Sequence, residues 1–205
     1  MSIDNISSQL EFQRRSSELP YRDGVAVVAI NSQNEVLIGK ARGFRDIWKM
    51  SQGGVDPEEE KGQAALRELY EEFGADKVSI LKKSEHIHRY DYPEHGTSFR
   101  GYLRGFRGQE FQWFLVKVDD NQEFDLVSNN PEDEEVEFAN YKWVSPEEAI
   151  LKAHNSLLPD YDTNESGGDP VTYQRQQIYI EVLKEFGLIE QSYELTHRAF
   201  PGFQR

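Results

Sequence analysis

The sequence predicts an α+β protein, or an α/β layer fold on a mixed sheet, from three observations. Apolar runs of strand length recur, among them "VAVVAI" at 25–30 and "FQWFLVKV" at 111–118. Helix-period segments lie between and after them, each with a recognisable start or stop. The first two runs are separated only by turn formers, so part of the sheet is hairpin-like rather than wholly crossover-built.

Residues 1–20 read as a polar arm. The runs at 25–30 and 35–39 flank "NSQN" and form the expected hairpin. Lys40, Arg42 and Arg45 follow, and Trp48 and Met50 lead into the pair Gly53 and Gly54. The next segment is a helix with Leu66, Leu69 and Phe73 on one side and Ala65 beside them, stopped by Gly74. Two strands are expected at 78–81 and 86–92, a break at 93–96, and a strand at 111–118. The stretch 129–135 is a charged loop, and "VEFANYKWV" at 136–144 is another strand. "SPEEAILKA" opens a helix with a capping box from Ser145 to Glu148 and Pro146 at the first helical position. After a loop at 153–170, a last helix at 171–186 carries the stripe Tyr179, Val182, Leu183 and Phe186 and is closed by Gly187.

A chain of 205 residues accommodates one domain, expected at 21–187, with arms at 1–20 and 188–205. With no cysteine there is no disulfide, thiolate metal site or cysteine nucleophile. No signal peptide or bilayer-length apolar run is visible, so a soluble, cytoplasmic protein without a membrane partner is expected. The net charge of −14, from 37 acidic and 23 basic residues, opposes binding along an extended nucleic-acid track. A small polyanion can still bind where cations or a local basic cluster neutralise it. Oligomeric state is not legible.

The helix at about 61–73 raises the functional question. Glu68, Glu71 and Glu72 lie three and four residues apart or adjacent, on one helix face, where like charges repel. Either the face is merely solvated or a cation belongs there. Hard oxygen ligands clustered in this way suit Mg²⁺ or Mn²⁺. The preceding Gly53-Gly54 lets the backbone approach closely, so a main-chain carbonyl could add a ligand.

These residues resemble the Nudix family. Its box, G-x5-E-x7-R-E-U-x-E-E-x-G-U with U aliphatic, is matched by Gly53, Glu59, Arg67, Glu68, Leu69, Glu71, Glu72, Gly74 and Ala75. Ala75 is small for the last position. The resemblance implies an α/β/α sandwich around a mixed sheet and hydrolysis of a nucleoside diphosphate linked to another group. It implies that Gly53, Glu68, Glu71 and Glu72 hold divalent cations, Mg²⁺ or Mn²⁺, that Arg67 orients a glutamate by a salt bridge, and that Glu59 and Gly74 are structural.

Outside the box, the chain resembles the branch of RNA pyrophosphohydrolases and plant-type diadenosine tetraphosphate hydrolases. The matching stretches are "YRDGVAVVAI", "WKMSQGG", "RYDYP", "GQEFQWFLV", "VEFANYKWVS" and "YQRQQIYIEVLKEF", in that order. The branch implies Glu137 as a further metal ligand or base and Tyr173 as a base-stacking aromatic. Arg22, Lys40, Arg42 and Arg175 are candidates for phosphate contact. Glu71 and Glu72 are alternative bases. The chain departs from the branch at Gly24 for asparagine, at Ser51 for proline, and at Glu110, Gln112 and Gln174 for lysines.

The expected substrate is a nucleoside polyphosphate, with pyrophosphate removal from a triphosphorylated RNA 5′ end ranked ahead of asymmetric dinucleoside tetraphosphate cleavage. The alternative of another class is a non-catalytic nucleotide-sensing module, which the intact box disfavours. In "DYDTNESGGD" at 160–169 the glycine, Gly167, falls too late for an EF-hand and Val171 stands in place of the closing glutamate, and His86 and His88 read as ordinary strand residues.

Overall fold

The computed structural model describes residues 18–42, 47–92, 105–126, 137–154 and 170–194, with the side chains of 154 and 170–173 outside the description. Strand β1 (Tyr21–Ile30) is buried from Gly24 onward on both faces. Successive strand residues point to opposite sides, so its even and odd positions serve two separate cores. Ala26, Val28 and Ile30 belong to one core, Val25, Val27 and Ala29 to the other.

Among the described residues seven strands make one mixed sheet. β6 (Gly108–Val118) lies parallel to β1 over its whole length, from Tyr21↔Gly108 to Ile30↔Lys117. β5 (Val78–Asp91) is antiparallel to β6. On the other side of β1, β4 (Ser51–Gly54) pairs antiparallel with residues 24–27. β2 (Val36–Ala41) meets β1 at Ile30↔Val36 and then pairs with β3 (Trp48–Lys49) and β7 (Phe138–Val144). Helix α1 (Lys61–Phe73) covers one face through Ala64, Ala65, Leu69 and Phe73. Helices α2 (Pro146–His154) and α3 (Pro170–Glu185) cover the other, with Ile150, Tyr179, Val182 and Leu183. The result is the expected α/β/α sandwich.

Several elements differ from the sequence reading. The expected hairpin touches only at its turn end, because β4 takes the place beside β1 that β2 would have held. β3 and β4 have no counterpart in the reading. The two strands expected at 78–81 and 86–92 are one strand with register shifts. Ser84 makes the second shift tenable: its Oγ donates to His86 O at 2.8 Å and accepts from Trp113 N at 3.1 Å and Gln112 Nε2 at 2.8 Å. β7 is described from Phe138, and the expected break at 93–96, the loop at 129–135 and residues 155–169 of the expected loop lie outside the described residues.

The helix ends follow the caps. Gly74 adopts φ 67° and its N–H donates to Tyr70 O at 2.7 Å. Ser145 Oγ accepts from Glu148 N at 3.2 Å, one half of the expected capping box. Glu148 turns its carboxylate to Lys142 instead, at 3.1 Å. Beyond Gly187 (φ 75°) the chain stays on the core, with Ile189 buried and Tyr193 packed nearby.

Candidate active site

Strand β4 and helix α1 face each other across the α1 core. Four residues of helix rise about 6 Å and two residues of strand about 6.6 Å, so the two elements match step for step. Glu68 comes opposite Gly53, and Glu72 comes beside Ser51. A β-carbon added at Gly53 would overlap the Glu68 carboxylate outright. The glycine is what lets the carboxylate sit against the strand: it lies where any other residue would begin its side chain.

Arg67 organises this face. Its Nε and Nη2 grip both oxygens of Glu59 at 2.9 and 2.8 Å. Its Nη1 donates to Glu68 and Glu71, each at 3.0 Å, and Nη2 also donates to Gly54 O at 2.9 Å. One guanidinium thus ties the loop before α1, the end of β4 and two glutamates of α1 together, which a planar fork of five donors does well. Glu59 also accepts from Asp56 N at 3.1 Å. Hydrogen bonding from Arg67 holds the Glu59 carboxyl below the usual carboxylate range, while the Arg67 pKa is raised by the same contact. Burial raises Glu68, although Arg67 pulls the other way.

Glu72 differs from its neighbours. The sequence places it off the apolar stripe, yet it is only 6% exposed, because β4 lies over it. Both carboxylate oxygens, and Ser51 Oγ nearby, are buried without a hydrogen-bond partner. Burial first, and the Glu137 charge second, push the Glu72 pKa well above the carboxylate range; Lys49 and Ser51 oppose this. Ser51 Oγ is close enough to favour the charge but makes no hydrogen bond of normal geometry, and a buried carboxylate so poorly served is costly unless a cation or proton completes it.

Glu137 stands just before β7. Arg42 N donates to its carbonyl at 2.8 Å, and its carboxylate forms an ion pair with Lys49. Lys49 is the functional candidate that sequence reasoning missed. Reading 48–54 as extended would have revealed it, since Lys49, Ser51 and Gly53 alternate onto the α1 face while Met50 enters the opposite core.

Among the described residues the remaining candidates form no ion pair with these carboxylates. Arg22 is exposed, with its guanidinium over Gly54: a β-carbon there would lie 2.7 Å from Nη2. Lys40 is half-buried on β2 between Trp48 and Asn140. Arg42 is exposed at the end of β2, and it is its backbone that contacts Glu137. Arg175 is half-buried on α3, its charge close to Tyr90 and Tyr179 and its Nε buried without a partner. The side chain of Tyr173 lies outside the described ones. His86 and His88 each face a glutamate of α3 at 3.3 Å, Glu185 and Glu181 respectively.

The residues fit a divalent cation. The fit rests on the two orphaned oxygens of Glu72, the Gly53 cradle for Glu68 and an all-oxygen donor set. Among the described residues no three carboxylates or histidines already converge as a closed cage, since Arg67 holds Glu68 and Glu71 and Lys49 holds Glu137.

Comparison with known proteins identifies the family. Residues 20–162 match the NUDIX domain. The RNA pyrophosphohydrolase of Novosphingobium aromaticivorans is 34% identical over 175 residues, covering 82% of this chain and 93% of that protein. The RNA pyrophosphohydrolase of Rickettsia africae is 33% identical over 139 residues, covering 67% of this chain and 83% of that protein. The structure of the E. coli dihydroneopterin triphosphate pyrophosphohydrolase superposes with a TM-score of 0.50 at 20% identity, over 79% of this chain and 99% of that one, a likeness of fold. The chain belongs to the Nudix family and, with it, to the hydrolases of phosphoric anhydride bonds.

Proposed function

We propose that this protein is a Mg²⁺-dependent pyrophosphohydrolase that removes pyrophosphate from the 5′ end of triphosphorylated RNA in the cytoplasm. The observation that carries the reading is Glu72, buried with both oxygens unpartnered, beside Glu68 seated in the Gly53 cradle. The names of relatives at 33% and 34% identity support the choice of substrate. The net charge of −14 favours a substrate read at its end rather than along its length.

In this reading Gly53, Glu68, Glu71, Glu72 and Glu137 hold the divalent ions. Bound there, Mg²⁺ neutralises the polyphosphate and lowers the pKa of water. Arg67 keeps Glu68 and Glu71 in place, and Glu59 keeps Arg67 in place. A glutamate, Glu71, Glu72 or Glu137, accepts the proton of the attacking water as a P–O–P bond breaks. Pyrophosphate leaves and a 5′-monophosphate remains. Arg22, Lys40, Arg42 and Arg175 contact phosphate, and Tyr173 stacks on the base.

The test is turnover by the full chain, with Mg²⁺, of triphosphorylated RNA, diadenosine tetraphosphate and ADP-ribose side by side. Triphosphorylated RNA should be cleaved with the highest kcat/KM. A preference for either other substrate replaces the substrate assigned here, and tight nucleotide binding without turnover of any of the three replaces the enzyme with a sensor.

A further inference from the structure

Lys49, on β3, meets the acidic face at Glu137. Its ammonium is paired with the Glu137 carboxylate, and its side chain is only 16% exposed. The nitrogen also stands 5.4 Å from the centre of the Phe138 ring. Gly39 makes this possible. β2 runs between β3 and β7, with Gly39 opposite Lys49 on one side and Tyr141 on the other. Having no side chain, Gly39 lets the Phe138 ring lie across the strand, so Lys49 reaches over to the acidic face. The ring and the buried lysine stem leave the ammonium few directions other than toward the carboxylates.

Glu137 and Glu68 both repel Glu72, and Lys49, paired with Glu137, is the cation that acts in favour of the Glu72 charge. Arg67 serves Glu59, Glu68 and Glu71, whereas Glu72 receives no hydrogen bond from it.

We propose that Lys49 is a built-in counter-cation of the metal site, which pairs with Glu137 beside Glu72 and which a divalent cation displaces on binding. The inference rests on the divalent-cation reading of the carboxylates. Lys49 thereby keeps the acidic face folded without metal and sets the concentration at which metal binds. Two cations cannot share the same carboxylates in a poorly solvated site without strong repulsion. Metal binding therefore includes the cost of moving the ammonium.

The experiment titrates the full chain with Mg²⁺ alone at constant pH, by calorimetry and by thermal shift. It compares wild type, Lys49→Met, which keeps the stem over Phe138, and Lys49→Arg, which keeps the charge. Lys49→Met should bind Mg²⁺ about fivefold tighter or more, from the removal of a like charge at close range. Its metal-free melting temperature should fall, and Lys49→Arg should stay near wild type in both. A measurement on wild type alone accompanies these: acetylation of Lys49 by acetic anhydride, read by mass spectrometry, should be slow without Mg²⁺ and faster with it. Mg²⁺ binding by wild type, with Lys49→Met no tighter or Lys49 no more reactive when Mg²⁺ is added, overturns this inference alone. Absence of Mg²⁺ binding by wild type overturns the divalent-cation reading and this inference together.

Discussion

The Glu68 carboxylate occupies the space that a side chain on Gly53 would fill. A methyl group there must push the carboxylate away. Gly53→Ala should leave a folded protein, because the flexible end of Glu68 can move. Its kcat/KM should fall by roughly a hundredfold, as expected when one charged group at the reacting centre loses its position. Stabilisation by Mg²⁺ should shrink in thermal shift. Unchanged kinetics would show that Glu68 need not sit against β4.

Arg67 acts on fold and site together, so its loss should look different. Arg67→Ala strands Glu59, Glu68 and Glu71 without their shared donor. Breaking a well-buried pair costs about 3–5 kcal/mol, and with Arg67 27% exposed the loss should be nearer about 2 kcal/mol. For a chain of this length that is a drop of about 4–8 °C in melting temperature, accompanied by loss of activity. Activity lost with no change in melting temperature would contradict the clamp.

Glu72 predicts a pH dependence with a definite sign. Its folded pKa is raised above its unfolded value, so the native state holds the proton more tightly. The stabilisation this provides is full below the unfolded pKa, about 4.5, and is lost as pH climbs through the raised folded value. Without metal, wild type should therefore lose stability relative to Glu72→Gln as pH rises from about 4.5 toward neutrality. Chemical denaturation of both proteins across that range measures the difference. A difference that stays flat with pH would mean that Glu72 is not held protonated.

Tyr179 connects α3 to Met50, the residue between β3 and β4: its hydroxyl accepts from Met50 N at 3.0 Å in a fully buried setting. Tyr179→Phe leaves that N–H without a partner and should cost about 1–3 kcal/mol in denaturant unfolding. Met50 lies between Lys49 and Ser51, so Mg²⁺ affinity should weaken as well. A variant as stable as wild type would show that water or another acceptor serves Met50 instead.

The strands legible in the sequence are those rich in Val, Ile, Phe and Trp, such as residues 25–30 and 111–118. β4 was not, because Ser51, Gln52, Gly53 and Gly54 are poor strand formers. They are extended because β1 supplies the ladder and the glycines must pass under Glu68 and Arg22. That Glu68, Glu71 and Glu72 share one face of a helix was legible from their spacing, whereas a metal-holding role for them is what the family resemblance implies. The burial of Glu72 was not legible, since only the covering strand distinguishes it from a solvated neighbour. Lys49 was missed for the same reason: its direction depends on an extended segment and on Gly39, ten residues earlier in the chain. The side-chain positions of the expected phosphate contacts Lys40 and Arg42 were equally invisible, because they depend on how β2 pairs with β3 and β7.

The most direct measurement is single-turnover hydrolysis of triphosphorylated RNA with saturating Mg²⁺, comparing wild type with Glu72→Gln and recording the metal-free melting temperature of each. Replacing the buried, unpartnered carboxylate by an amide removes one charged group from the centre and one repulsion from Glu137. The rate should fall by roughly a thousandfold, corresponding to about 4 kcal/mol of transition-state stabilisation, while the melting temperature holds or rises. A Glu72→Gln protein that keeps near-normal turnover but unfolds more easily would contradict the account, and would make the acidic face of α1 a structural feature.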